Sequence, residues 1–402
     1  MSRPRHARQD SVAQDRGGVL ASRLLDVPVE EFARDIWSRR AHLTRGRRDF
    51  ADLFSAEAVD ELVSTRGLRA PFLRVAKQGQ TLPDSRFTAP GGVGAEIGDQ
   101  IDDTALWRQF ADGATIVLQA LHRTWATVAD FAATLATELG HPVQANAYVT
   151  PPANRGFDDH YDVHDVFVLQ VEGTKRWVIH EPVHPAPLRD QPWTDHRDAV
   201  AAAAHTEPVI DTVLEPGDVL YLPRGWLHAA EAQGAVSIHL TLGVHVWTRY
   251  ALAEQLVNAA LSDLRDDPAM RAALPLGLDD PTEHLSAIGE RLTTALAEAD
   301  PAPTFHRVRR SQGRSAPLGP LAQLTALDQL TDATALRLRD ALETRMTGDR
   351  LQTRVGWLDL TEQEQPAVRR LLDERTLTAV DLGIPVARRL LRAGVVVPVE
   401  VP

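Results

Sequence analysis

Between residues 143 and 246 the chain reads as a succession of short strands broken by Gly and Pro turns. With no helices interposed between them, a β-sandwich or barrel is expected. Val143–Thr150 alternates, Val166–Val171 is an apolar run, Glu172-Gly173-Thr174 reads as a turn, and Arg176–His180 reads as the return strand of a hairpin. Val209–Leu214, Val219–Leu222 and Ala235–Val246 are further strands, with Pro216-Gly217 as a turn and an Ala-rich helical insert within the loop 181–208.

Polar residues fall at telling places in this β-rich stretch. His160 and Asp162 are two apart, so on an extended segment they point to one face. His228 follows a Pro-Gly-Asp turn, a short apolar strand and Pro223-Arg224-Gly225, which delivers one imidazole at a strand end. Two His and one carboxylate form a facial triad, which leaves three cis positions open on an octahedral iron. Asn146 and Tyr148 share a face of the preceding strand, and the expected hairpin through Gly173 brings Lys175 alongside. The plain alternative is that all of these are ordinary surface and core residues of a β-domain. A cupin holding zinc or manganese on the same triad is the other.

Composition narrows the chemistry. With no Cys there is no disulfide framework, thiolate metal site or Cys nucleophile. The net charge of −12 argues against a protein built to hold nucleic acid and suits a basic protein or peptide partner. Lys occurs only at Lys77 and Lys175, while 41 basic residues are Arg. A chain that uses Arg almost everywhere keeps Lys inside its central motif, as a site needing a compact ammonium would require. No apolar run is long enough to span a bilayer, and Met1–Gly18 has no apolar core of a signal peptide, so a cytoplasmic location is expected.

The flanks are helical. Residues 1–20 read as a disordered tail. Val27–Trp37 reads as a helix with Pro28 near its start, followed by a helix capped by Ser55. Residues 78–103 read as a loop and an active-site rim, Thr115–Gln119 as a strand, and Trp125–Leu139 as a helix stopped by Gly140. From Trp247 the period becomes helical, over Tyr250–Arg265 and Thr282–Glu298. Residues 300–320 read as a linker. Beyond it come a strand-like Arg350–Leu358, helices over Glu362–Arg375, around Ala379 and over Ile384–Arg392, and a terminal strand, a pattern that fits a small winged-helix unit. The layout read from these periods is a tail (1–20), a β-rich domain with N-terminal helices (21–247), a helical region (248–300) that either packs on its own barrel or pairs with a second copy, and a winged-helix-like domain (301–402).

Residues 115–247 resemble the JmjC/cupin 2-oxoglutarate oxygenases, in particular the ribosomal-oxygenase subgroup. The resemblance is carried in order by Asn146-Ala147-Tyr148-Val149-Thr150-Pro151-Pro152, Gly156-Phe157, His160-Tyr161-Asp162, Phe167-Val168-Leu169-Gln170, Gly173-Thr174-Lys175-Arg176-Trp177 and Gly217–His228. It implies an α+β chain built on a double-stranded β-helix, with Fe(II) on His160, Asp162 and His228. It also implies Lys175 against the distal carboxylate of 2-oxoglutarate, Asn146 and Tyr148 along the cosubstrate pocket, and a homodimer. The implied reaction is hydroxylation of a protein or peptide side chain, Arg or His of a ribosomal protein, with release of succinate and CO2. Two positions depart from the family. Gly243 stands where relatives often have Ser, and His164 stands where they usually have an apolar residue and is expected to be solvated. His239 is a candidate for a supporting role near the site. His180, His184, His196, His205 and His245 read as loop or surface residues.

Two other functions fit parts of the sequence. One is hydroxylation of a peptide natural-product precursor. The other is a ligand-sensing, DNA-binding regulator with a non-catalytic cupin, for which the 15 Arg and 12 acidic residues of 301–402 are too balanced to make a strong phosphate-binding surface.

Overall fold

The structure, a computed structural model, describes residues 18–46, 49–94, 96–312 and 314–399. The tail expected over residues 1–20 lies outside the described residues as far as residue 17, and Leu20–Leu24 already forms a helical turn. The chain divides into two compact units, up to Val246 and from Trp247. Among the described residues no helix is long and apolar enough to cross a membrane.

The first unit is built on one nine-stranded sheet in which every pairing is antiparallel. Two strands are unusually long, Asp165–His180 and Leu227–Val244, and they pair with each other along most of their length. Their halves have different outer neighbours. Val166–Leu169 pairs with Val219–Leu222, whereas Lys175–Ile179 pairs with Ile210–Leu214. The sheet continues through Val143–Thr150, Thr115–Leu118 and Leu73–Lys77.

The hairpin expected at Gly173 is not formed, because the chain runs through as a single bent strand. Gly173 has φ +61°, and a Cβ there would stand 2.1 Å from the Val236 carbonyl oxygen of the neighbouring strand, so the glycine serves a close backbone approach at the bend. The partner strand is irregular at the same level, between Gln233 and His239. Gln170 holds the bend from inside, donating through Nε2 to the carbonyls of Glu172 (2.9 Å) and Gly173 (3.0 Å) and to Ser237 Oγ (2.9 Å). The last strand correspondingly begins at Leu227, well before the expected Ala235.

Strand parity sorts the side chains. Leu73, Val75, Ile116, Ala145, Ala147, Val149, Phe167, Leu169, Leu240 and Leu242 join the main core with Phe32, Ile36 and Phe131 from the helical flank. Arg74, Tyr148, Val168 and Thr241, between them in sequence, face the other way and line an interior cavity. The helical flank is largely as expected. Ser55 Oγ accepts from the Ala58 N–H to cap Ala56–Ser64, and Ala126–Leu139 ends at Gly140 with φ +69°. The helix expected over Val27–Trp37 is two short pieces, Val29–Glu31 and Phe32–Ile36.

The second unit opens with Arg249–Leu264 and Thr282–Glu298. The linker expected over 300–320 is mostly the helix Ala302–Gln312, whose Pro303 sits in the first turn, where no intrahelical N–H is lost. Phe305 of that helix packs edge-on against Trp247 at 4.9 Å between ring centroids. Beyond it, Ala335–Leu338 lies between Thr376–Thr378 and Val396–Pro398. A second three-stranded sheet carries Arg345–Thr347, Arg350–Thr353 and Gly356–Asp359. Leu336, Leu351, Val368, Leu371, Leu390 and Val396 join Gln365–Glu374 and Ile384–Arg392 to these sheets in one core.

Candidate metal and cosubstrate site

The inward parity of the strands places Arg74, Thr115, Tyr148, Val166, Val168, Lys175, Trp177, His228, Ala230, His239 and Thr241 around one cavity of about 240 Å³. Gly156, Phe157, His160 and Asp162 close it from the loop before Asp165, and Trp193 from the insert 181–208.

His160, Asp162 and His228 form the one group of three or more His, Cys, Asp or Glu residues among the described residues arranged to hold a metal, with ligand atoms all within 4.8 Å of one another. Backbone bonds set this up. His160 and His228 exchange N–H···O=C bonds of 3.2 and 2.9 Å as an antiparallel bridge, and their rings lie 4.4 Å apart. The Gly225 N–H donates to the Asp162 carbonyl at 3.0 Å, tying the Pro223-Arg224-Gly225 turn to the His-x-Asp segment. Gly225 has φ +88°, and a Cβ there would meet the His184 carbonyl oxygen at 2.7 Å.

The imidazoles are held in the tautomer a metal needs. His160 Nδ1 lies 2.7 Å from the Asp158 carbonyl oxygen and His228 Nδ1 lies 3.1 Å from that of Trp226, so each Nδ1–H donates and each Nε2 keeps its lone pair. His228 Nε2 is 3.9 Å from Asp162 Oδ2. Burial, reinforced by the charge of His160, lowers the pKa of His228 to about 4, which keeps it neutral. Burial raises the pKa of Asp162, but the surrounding His164, His228, His160 and Arg74 outweigh it and hold the carboxyl below its ordinary range. Two neutral imidazoles and one carboxylate are a donor set for a divalent transition metal with open positions.

At the other end of the cavity lies Lys175, 3% exposed. Its Nζ donates to Thr150 Oγ1, and no carboxylate among the described residues lies within ion-pair distance of it. Burial alone lowers its pKa to about 7. A buried ammonium facing a cavity without an anionic partner is the cradle that a carboxylate of 2-oxoglutarate would fill. Lys77, by contrast, is a surface residue paired with Asp112.

The other expected residues divide. Tyr148 lines the cavity and stacks on His239 at 4.8 Å with an interplanar angle of 2°. Burial raises its hydroxyl pKa, as does the charge of Asp162. Asn146 does not line the cavity. Its Oδ1 accepts from the N–H of Ala120, a residue at φ +54°. His239 is buried with its Nδ1 unpartnered, and burial holds its pKa well below the usual imidazole value. His164 is half-buried rather than solvated. Its Nε2 lies 3.2 Å from Gln144 Nε2 and its ring packs edge-on against His245. A Cβ at Gly243 would meet Gln144 at 3.0 Å and His164 at 3.1 Å, so these two side chains occupy the space beside the glycine. Thr241, two residues earlier on the same face, brings a hydroxyl to the cavity instead. His180 is a buried residue, 3% exposed, and not a surface one. Of the expected rim 78–103, Gly79 reaches the site's edge, its N–H donating to Gly156. Arg74, Thr115, Trp177 and Trp193 were not read from the sequence as site residues. Strand parity would have found Thr115 and Trp177, but Arg74 and Trp193 carry no local signal.

Residues 121–252 match the model of the JmjC domain. The chain is 32% identical to ribosomal oxygenase 1 of Rattus norvegicus over 262 residues, 63% of this chain and 41% of that protein. It is 31% identical to the bifunctional lysine-specific demethylase and histidyl-hydroxylase NO66 of Drosophila grimshawi over 281 residues, 67% of this chain and 36% of that protein. The chain thus spans well under half the length of these curated relatives. In fold it matches the X-ray structure of Escherichia coli YcfD, with a TM-score of 0.59 at 18% identity, over 94% of this chain and all of that one. It also matches YcfD, a ribosomal oxygenase from Escherichia coli, solved in complex with cobalt and 2-oxoglutarate, with a TM-score of 0.57 at 18% identity, over 94% and 99% of the two chains. Residues 121–252 thus match the JmjC domain family, and the proteins this chain is similar to by sequence and by fold include ribosomal oxygenases.

Proposed function

We propose that this chain is an Fe(II)- and 2-oxoglutarate-dependent oxygenase that hydroxylates a side chain of a protein or peptide. The observation that carries the reading is the pairing, in one cavity, of the triad His160, Asp162 and His228 with the buried ammonium of Lys175. Iron bound at the triad would supply activation of O2, one oxygen atom going to the substrate C–H and the other to 2-oxoglutarate, which leaves as succinate and CO2. The protein's part is positional. His160, Asp162 and His228 would hold the metal, while Lys175 and Thr150 would hold the distal carboxylate. Tyr148, stacked on His239, forms the wall beside them. By analogy with the ribosomal oxygenases the target is Arg or His of a ribosomal protein.

The remaining assignments support this role. Residues 21–247 form the catalytic domain. Residues 248–300 pair with a second copy, a role that the exposed Leu252, Val257, Leu261, Leu285 and Ile288 support. Residues 301–402 form a winged-helix-like support, and the protein works in the cytoplasm. The deciding experiment is succinate formation by purified protein with Fe(II), ascorbate and 2-oxoglutarate, with and without ribosomal proteins. Stimulated succinate together with a one-oxygen mass gain on a ribosomal peptide is expected. Absence of succinate in both arms would overturn the assignment.

A further inference from the structure

One cation in the cavity is left unused by this scheme. Arg74 comes from the strand Leu73–Lys77, opposite Val117 of Thr115–Leu118, with the parity that faces inward. Its guanidinium lies 5.2 Å from the centroid of the Phe157 ring, and its charge acts on the Tyr148 hydroxyl. No carboxylate among the described residues stands within ion-pair distance of it, and its Nε is buried without a hydrogen-bond partner. A guanidinium carries five N–H donors in a rigid fork. The ring holds the flat face, and the unspent donors are presented at the cavity wall among Tyr148, Phe157 and Asp162.

Charge counting gives the missing group its sign. A divalent metal, Asp162, a 2-oxoglutarate dianion, a protonated Lys175 and Arg74 together leave the loaded site with one net positive charge. Arg155, on the loop that carries the triad's first two residues, is already paired with Asp158 at 2.7 Å.

We propose that Arg74 is the specificity-determining residue of this site and takes a carboxylate of the substrate beside the carbon presented to the metal. This deepens the oxygenase reading and rests on it. A fork of this kind fits an Asp or Glu side chain, or a free chain terminus, next to a neutral target such as His. It repels an arginine target by like charge at short range in a partly desolvated wall, and so separates the two side chains that the family analogy leaves open.

The test uses the full chain loaded with Mn(II) and the unreactive cosubstrate analogue N-oxalylglycine, each confirmed by calorimetry. The immobilised complex is offered a degenerate library of short peptides containing His, in free and amidated C-terminal forms, and the retained peptides are sequenced. Wild type is expected to enrich Asp and Glu over Lys by about tenfold. Arg74→Lys should keep the preference, Arg74→Gln should flatten it and Arg74→Glu should reverse it. Because each result is a ratio within one protein, loss of total binding by a less stable variant does not mimic it. Enrichment among the free-terminus peptides alone identifies the terminal carboxylate as the ligand, and enrichment in both forms identifies the side chain. Equal retention of acidic and basic peptides by wild type, or the same ratio for wild type and Arg74→Glu, overturns the proposal. Failure to load Mn(II) and N-oxalylglycine strikes the oxygenase reading itself, at a step before any peptide is added.

Discussion

Lys175 Nζ donates to Thr150 Oγ1 at 3.0 Å inside the first unit, and that hydroxyl meets Thr115 Oγ1 at 3.2 Å. A threonine hydroxyl is thus the side-chain hydrogen-bond partner of the one buried lysine, in a chain whose basic residues are almost all Arg. Hydroxyls solvate an ammonium poorly compared with water, so the free protein holds this charge at a cost that an anionic ligand removes.

Lys175→Met should therefore raise stability while removing cosubstrate binding. An apolar chain of similar length relieves the desolvation, a gain of roughly 1–2 kcal/mol. For a unit of this size that is a rise in Tm of about 2–8 °C. Thermal unfolding and 2-oxoglutarate titration on the same preparation check both halves. A variant that melts lower would show that the lysine is a structural tie.

The same burial makes cosubstrate binding depend on pH. The folded pKa of Lys175 is about 7, while an unfolded lysine titrates near ~10.4. Between these values the unfolded chain binds more protons, so this group's destabilisation is present below about pH 7 and fades as pH rises toward ~10.4. Binding a carboxylate favours the ammonium, so 2-oxoglutarate should bind with uptake of up to about one proton at pH 8 and lose affinity as pH climbs further. Calorimetry in two buffers of different ionisation enthalpy measures the uptake, and an uptake of zero would remove Lys175 from the carboxylate site.

At the triad, His160→Ala, Asp162→Ala or His228→Ala should abolish succinate formation. Each should also weaken Co(II) or Mn(II) binding by more than about a hundredfold, the upper end of what loss of an outer-shell partner costs. Metal titration followed by absorbance reads this without turnover. Unchanged affinity in all three would move the metal elsewhere.

Much of this site is legible in the sequence because its logic has a period of two. His160 and Asp162 share a face for the same reason as Asn146 and Tyr148, or Lys175 and Trp177. What parity does not show is where a side chain turns once it is on the right face, so Asn146 goes to the Ala120 N–H instead of the cavity. Nor does it show which distant strand lies opposite, so Arg74 becomes visible only when Leu73–Lys77 is placed beside Thr115–Leu118. The misread hairpin at Gly173 has a related origin. Glu-Gly-Thr after an apolar run has turn composition, and the demand for glycine comes from Val236 on another strand, 63 positions away in the chain. The misread linker is local, since Pro301 and Pro303 look like breakers until one of them falls in a helix's first turn.

Gly173→Ala tests that close approach. With φ +61° and a backbone oxygen 2.1 Å from the new Cβ, neither strand can yield without moving the other, and a loss of roughly 2–4 kcal/mol is expected. Because Lys175 and His239 flank the bend, cosubstrate affinity should fall together with Tm. A variant of unchanged stability would mean that the bend relaxes freely.

Asp165 is the last point at which the fold and the site meet. It is fully buried, and its Oδ2 accepts from the Tyr221 hydroxyl at 2.5 Å and from Ser38 Oγ at 2.8 Å. Its Oδ1 accepts from the Arg224 N–H at 3.0 Å. Tyr221 belongs to the strand next to Val166–Leu169, Ser38 lies just beyond the Phe32–Ile36 helix, and Arg224 stands in the turn that delivers His228. Asp165→Ala leaves two hydroxyls and a backbone N–H buried without this acceptor, a loss of roughly 3–5 kcal/mol. Asp165→Asn keeps the shape and an acceptor oxygen but loses the charge, and should cost less. If the carboxylate also holds the turn, both variants should weaken metal binding through displaced His228, in the same order as their stability. Urea unfolding alongside Co(II) titration separates the two effects, and a destabilised Asp165→Ala with wild-type metal affinity would confine the residue to folding.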